Sequence, residues 1–172
     1  MTGGFAHQLD SVARRLFPFA LSVLMVVLSV VPLPIPGNGL VMPPLVLMAV
    51  YYWAIHRPDL VPAIAVFVLG LLEDILSGAP TGVNTVMFLL VYGIMRSQRK
   101  PFLGKPFVVM WFGFVVVAPC AILFDWMLSS AVAGKAIPPL AAVVQVLLAI
   151  TLYPSVTWLF AAAQRAFLRQ KP

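Results

Sequence analysis

Uncharged residues run from Leu16 to Ile55, Ile75 to Met95, Pro106 to Phe124 and Ala136 to Gln164. Each stretch approaches or exceeds the roughly 20 residues of helix that cross a bilayer. The first is long enough for two crossings, and Pro43-Pro44 divides it. With the polar breaks included, the pattern predicts six spans, near residues 14–32, 40–56, 58–77, 83–96, 105–130 and 137–164. The expected fold is an all-α integral membrane protein, a compact bundle of six transmembrane helices. Residues 1–172 would form one transmembrane domain with short tails at about 1–13 and 165–172. The second span is short: Leu45–Ile55 makes only about 17 Å of helix at 1.5 Å per residue. Pro119 and Pro154 fall inside the fifth and sixth spans. There each either kinks its helix or is simply tolerated, as proline often is in membrane helices. No internal repeat is evident.

Composition agrees with the pattern. The chain is 62% hydrophobic and 9% charged, with a mean hydropathy of +1.04, whereas soluble domains are about one-quarter charged. The net charge of +6 does not point to nucleic acid, because its placement follows the spans. With both termini inside, the inner face carries Arg14, Arg15, Arg57, Arg96, Arg99, Lys100, Lys105, Arg165, Arg169 and Lys171, and the outer face only Lys135. That bias is the positive-inside pattern of a multi-pass membrane protein with cytoplasmic N- and C-termini. A five-span reading would put the Arg96–Lys105 loop outside and is rejected. The basic loop would meet lipid headgroups as well. Arg14-Arg15 before an apolar run resembles a signal peptide, but no small-x-small cleavage site follows, so an uncleaved first span is expected. The one cysteine, Cys120, has no pairing or ligand partner in sequence and is expected to be a buried, inert thiol.

Chemistry concentrates at the end of the third span, in Gly70-Leu71-Leu72-Glu73-Asp74-Ile75-Leu76-Ser77-Gly78-Ala79-Pro80-Thr81-Gly82-Val83-Asn84. Ionisable groups at membrane depth are costly and are held there by a partner, a cavity or a function. Consecutive helical residues point about 100° apart, so Glu73 and Asp74 cannot share a face. Asp74, one turn after Gly70, is expected to face inward, with Glu73 turned toward headgroups or a partner. Gly70 and Gly78 leave room for a second backbone, while Gly78, Pro80 and Gly82 turn the chain. At the span's start, Pro58 fits the first helical turn and Asp59 meets the positive end of the helix dipole.

Asp125 is the other intramembrane carboxylate, and it could meet Asp74 at one level of the bundle. Two aspartates on two helices invite a shared-proton protease. The surrounding sequence argues against it: Asp125, in Ile122-Leu123-Phe124-Asp125-Trp126, lacks a preceding Gly-x-Gly, and a salt bridge to Lys135, an interfacial position beside Trp126 or a hydrogen bond at a neighbouring loop accounts for it. His7 and His56 lie at the edges, and phosphate-binding glycine loops are absent. Neither an enzyme nor a cofactor or metal site is expected.

These residues carry a resemblance. Pro58-Asp59, the run Gly70-Leu71-Leu72-x-Asp74-x-Leu76-Ser77-Gly78-x-x-x-Gly82, Leu152-Tyr153-Pro154 and the basic tail Arg165 to Lys171 resemble the bacterial rod shape-determining family MreD over the whole length. Pro80-Thr81 departs slightly from the family's usual residues before the last glycine. The resemblance implies a non-enzymatic scaffold of the cell-wall elongation complex. Its direct partner would be MreC, and the complex would include MreB, RodA and its transpeptidase. It implies that Asp74, Gly78 and Gly82 shape the outer end of the third span, either positioning the surface that receives MreC or stabilising the fold. Arg96, Arg99, Lys100 and Lys105 would face MreB or lipid. A different class stays open: the substrate-binding components of energy-coupling-factor vitamin transporters are also small six-helix proteins of similar layout. In that case Asp74 and Asp125 would stand at the mouth of a pocket lined by Asn38, Asn84, Ser129 and Ser130.

Overall fold

The computed structural model describes residues 17–35, 39–134 and 137–168. Six α-helices occupy the described residues: α1 (Phe17–Ser29), α2 (Leu45–His56), α3 (Ala63–Ser77), α4 (Val83–Ser97), α5 (Phe107–Ala133) and α6 (Pro139–Leu168). Between α1 and α2 a small antiparallel hairpin pairs β1 (Leu33–Ile35) with β2 (Gly39–Val41), with Pro34 opposite Leu40. Pro44 stands as the cap before α2, as the paired prolines predict.

Two helices, α5 and α6, are long and apolar enough to cross a membrane. At 1.5 Å per residue they extend about 40 and 45 Å. Only 22% of the apolar stretch of α5 and 28% of that of α6 is buried. A core helix of a soluble protein would be mostly covered; these two instead present Phe112, Val116, Leu147 and Trp158 to the outside at 60–68% exposure. An apolar surface on this scale belongs in lipid, and the protein is a membrane protein.

The short second helix is the axis of the structure. From Val46 to Ile55 every residue of α2 is buried, which is the behaviour of a helix that is hydrophobic all round. It packs chiefly against α4 and α6. Its aromatic residues supply both packing and hydrogen bonds. The Tyr51 hydroxyl donates to the Met110 carbonyl of α5 at 3.0 Å, and the Tyr52 hydroxyl to Gln164 Oε1 of α6 at 2.9 Å. Tyr51 meets Phe114 and Tyr153 edge-on, while Phe114 and Tyr153 stack at 4.2 Å.

These contacts define two ends. Tyr92 at the end of α4 donates to Pro58 O at 3.3 Å. Together with the Tyr51 and Tyr52 bonds, it gathers Arg57, the Arg96–Lys105 loop and Arg165 at one end. At the other lie the hairpin, the α3–α4 turn and the start of α6, where Gln145 Nε2 donates to Met42 O at 3.2 Å.

Two expectations change. First, α3 does not begin at Pro58: residues 58–60 form a turn, Asp59 is exposed, and the cap is Pro62, with α3 starting at Ala63. A proline at 62 disfavours the helical region for Val61, so the helix cannot start earlier and Asp59 does not sit on its dipole. Second, Cys120 is exposed rather than buried. It lies beside Leu90, Ile94, Val116 and Phe124 in an apolar surface groove between α4 and α5, because α5 turns its Ala118, Ala121 and Ile122 face inward instead. The two internal prolines, Pro119 and Pro154, are accommodated within α5 and α6, each of which continues as helix past its proline.

Candidate functional site

The sharpest local structure is the corner that joins α3 to α4. α3 ends at Gly78, in the left-handed region at φ 69°, and α4 starts after Gly82 at φ 100°. A helix start leaves its first N–H groups without partners. Here they are met by a side chain of the preceding helix. Asp74 Oδ2 accepts from the N–H of Gly82 at 2.8 Å and of Thr85 at 3.4 Å, and Oδ1 from the N–H of Asn84 at 3.0 Å. The Thr85 hydroxyl is the fourth donor to the carboxylate, reaching Oδ2 at 2.8 Å. The remaining amide, Val83, donates to Pro80 O at 3.3 Å. Every amide of the first turn is thus satisfied, and an acidic group sits at the positive end of the α4 dipole. Asp74 itself is fully buried, so the expectation that it faces inward is met.

The other motif residues serve the same corner. Ser77 Oγ donates to Asp74 O at 3.5 Å and accepts from Ala79 N at 3.4 Å. Gly70 is a point of closest approach: a Cβ there would stand 2.6 Å from the Cα of Thr85. Gly78 is not, because a Cβ there meets nothing within 4 Å; its glycine is needed for the positive φ alone. Gly78→Ala and Gly78→Leu should therefore cost alike, about 1 kcal/mol of backbone strain. Thermal unfolding in detergent checks this, and a much larger loss for leucine would contradict it.

Glu73 departs from expectation. It is buried to 8% exposure rather than turned to headgroups. The two carboxylates do diverge, but both directions are covered: Asp74 points into α4, and Glu73 Oε1 accepts from Ser29 Oγ of α1 at 3.1 Å. Glu73 and Asp125, not Asp74 and Asp125, share a cavity of about 180 Å³, with Ser77, Asn84 and Gln145 also on its wall. Oε2 of Glu73 and Oδ1 of Asp125 are buried without a hydrogen-bond partner among the described residues. Of the four pocket positions named from sequence, Asn84 lies on the cavity wall. Ser130 Oγ instead accepts from Ile137 N at 3.4 Å, and neither it nor Ser129 lines the cavity. Asn38, His7, Lys135, Arg14, Arg15, Arg169 and Lys171 lie outside the described residues.

Away from the corner, Arg96, Lys100 and Lys105 are exposed and Arg99 is half-buried. The loop they occupy is tied down by Phe102, whose ring would stand 2.8 Å from a Cβ on Gly113. Pro154 follows the buried Tyr153 at the α2–α6 contact. Thr85, Ser29 and Gln145 were not singled out in sequence. Thr85 had a signal, since Asn84-Thr85 stand two and three residues after the turn glycine Gly82, where a helix start needs caps; Ser29 and Gln145 are distant in sequence and had none.

No curated protein and no solved structure matches the chain. The family model for rod shape-determining protein MreD matches residues 10–163, which include the whole corner and the Tyr153-Pro154 pair. By that match the chain belongs to the MreD family and has its role in determining rod cell shape.

Proposed function

We propose that the protein is a non-enzymatic scaffold of the cell-wall elongation complex. It crosses the bacterial inner membrane six times, with both termini and the basic end cytoplasmic. It binds MreC directly and so joins the wall-synthesis enzymes to the cytoplasmic filament protein MreB. The observation that carries this reading is the use made of the family motif. Asp74, Ser77, Gly78 and Gly82 are all engaged in building one corner, with the carboxylate bonded to the start of α4. A motif of this kind fixes a shape; it presents no group to a reacting substrate. What is left for recognition is the set of helix faces, where packing and small residues govern association in lipid. The gathered basic residues support the orientation through the positive-inside bias.

Tagged protein purified from native membranes should bring down MreC in stoichiometric amount by mass spectrometry. Asp74→Ala should reduce that recovery, and rod maintenance in cells, far more than Arg99→Ala. Recovery of paired ATPases with a coupling subunit in place of MreC would refute the scaffold reading.

A further inference from the structure

We propose that the cavity enclosed by α3, α4, α5 and α6 binds a cationic nitrogen, a primary ammonium or guanidinium group carried on a short aliphatic stem. Glu73 lines the cavity and is more than nine-tenths buried; its Oε1 shares the Ser29 hydroxyl with Val26 O, and its Oε2 is buried with no hydrogen-bond partner among the described residues. Asp125 brings a second unpartnered oxygen to the same wall from α5. Among the described residues, no lysine, arginine or histidine lines the space. Gln145 uses its amide nitrogen on Met42 O, which leaves its carbonyl oxygen to accept. The wall therefore sets two carboxylates among the neutral side chains of Ser77, Asn84 and Gln145, with no cationic side chain among the described residues to pair them.

Buried carboxylates need pairing and hydrogen bonds. An ammonium offers three donors and a guanidinium five, with no acceptor on either. A group of that kind satisfies both orphaned oxygens at once. Beside these polar groups the wall has an apolar part, with Met87, Phe88 and Ile122, that suits the methylene stem accompanying such heads on lysine, arginine and alkylamines. The space of about 180 Å³ exceeds the roughly 30 Å³ share of one water several-fold. A metal ion fits less well, since no group of three histidine, cysteine, aspartate or glutamate residues converges among the described residues.

The test is calorimetric titration of the protein in lipid nanodiscs with butylguanidinium, butylammonium and the neutral isostere butylurea. Saturable one-to-one binding of the cations is expected, at least tenfold tighter than butylurea. Glu73→Gln and Asp125→Asn should each weaken cation binding at least tenfold. No saturable cation binding, equal binding of butylurea, or affinity untouched by both substitutions overturns the proposal. The isostere comparison uses the wild-type chain, so a variant that fails to fold does not blunt the test. Repeating the titration on the complex purified from membranes identifies the natural source. Exclusion of butylguanidinium there means that a partner's basic side chain fills the cavity; undiminished binding means a free amine.

Discussion

Replacing Asp74 with alanine is expected to destabilise the protein by about 3–5 kcal/mol. Loss of an ordinary helix cap costs about 1 kcal/mol, and each buried donor left unpaired about 1–3. Asp74→Ala strands the N–H groups of Gly82, Asn84 and Thr85 together with the Thr85 hydroxyl, at a position closed to water. Not all of these losses add, because the turn can relax and a water can enter the space left by the carboxylate. For a chain of this size the midpoint of thermal unfolding in detergent should fall by about 10 °C. Asp74→Asn keeps one acceptor oxygen and should fall between. Asp59→Ala, at an exposed turn position, should be close to neutral. If Asp74→Ala unfolds with the wild type, the corner is not what holds α3 to α4.

The second large effect is expected at Gly70. A Cβ there would lie 2.6 Å from Thr85 Cα and 3.1 Å from its nitrogen, and backbone atoms of a helix cannot step aside as a flexible side chain can. Gly70→Ala must push α3 and α4 apart, which in a packed interior costs about 1–3 kcal/mol. It also stretches the Asp74–Thr85 bonds, because the two contacts lie one helical turn apart. Gly70→Leu should abolish accumulation of folded protein in membranes. The sharper check is the double substitution. Thr85→Ala removes the hydroxyl but not the Cα, so it should fail to rescue Gly70→Ala. Rescue, measured as recovered unfolding midpoint, would show that the side chain rather than the backbone sets the limit.

How far sequence carries depends on how local the cause is. The spacing from Asp74 through Ser77 and Gly78 to Gly82 encodes a helix end, a turn and a helix start within nine residues, and its outcome followed from backbone rules. The positions of the six helices followed in the same way from apolar runs and prolines, apart from the start of α3 and the start of α2, where Gly39–Val41 is a strand instead. The facing of Glu73 did not follow. Its burial depends on Ser29, 44 positions away, and nothing in either segment announces the other. Cys120 failed for a related reason: an apolar helix in lipid carries no polar stripe to say which side is inward, so α5 could have been turned either way. The central place of α2 was missed as well. Its one hint was the run Tyr51-Tyr52-Trp53, large groups with polar tips that need partners on several sides.

The burial of α2 also sets an order on assembly. It is made early, yet the groups that cover it come late: Phe114 on α5, then Tyr153 and Phe160 on α6. The bond from Tyr52 to Gln164 spans 112 positions. Until the last helix has been synthesised and inserted, Tyr52 lacks its acceptor on Gln164, Tyr51 lacks the ring of Tyr153, and Tyr52 and Trp53 lack that of Phe160. The interior thus closes from the carboxyl-terminal side, and α6 acts as the latch that completes it.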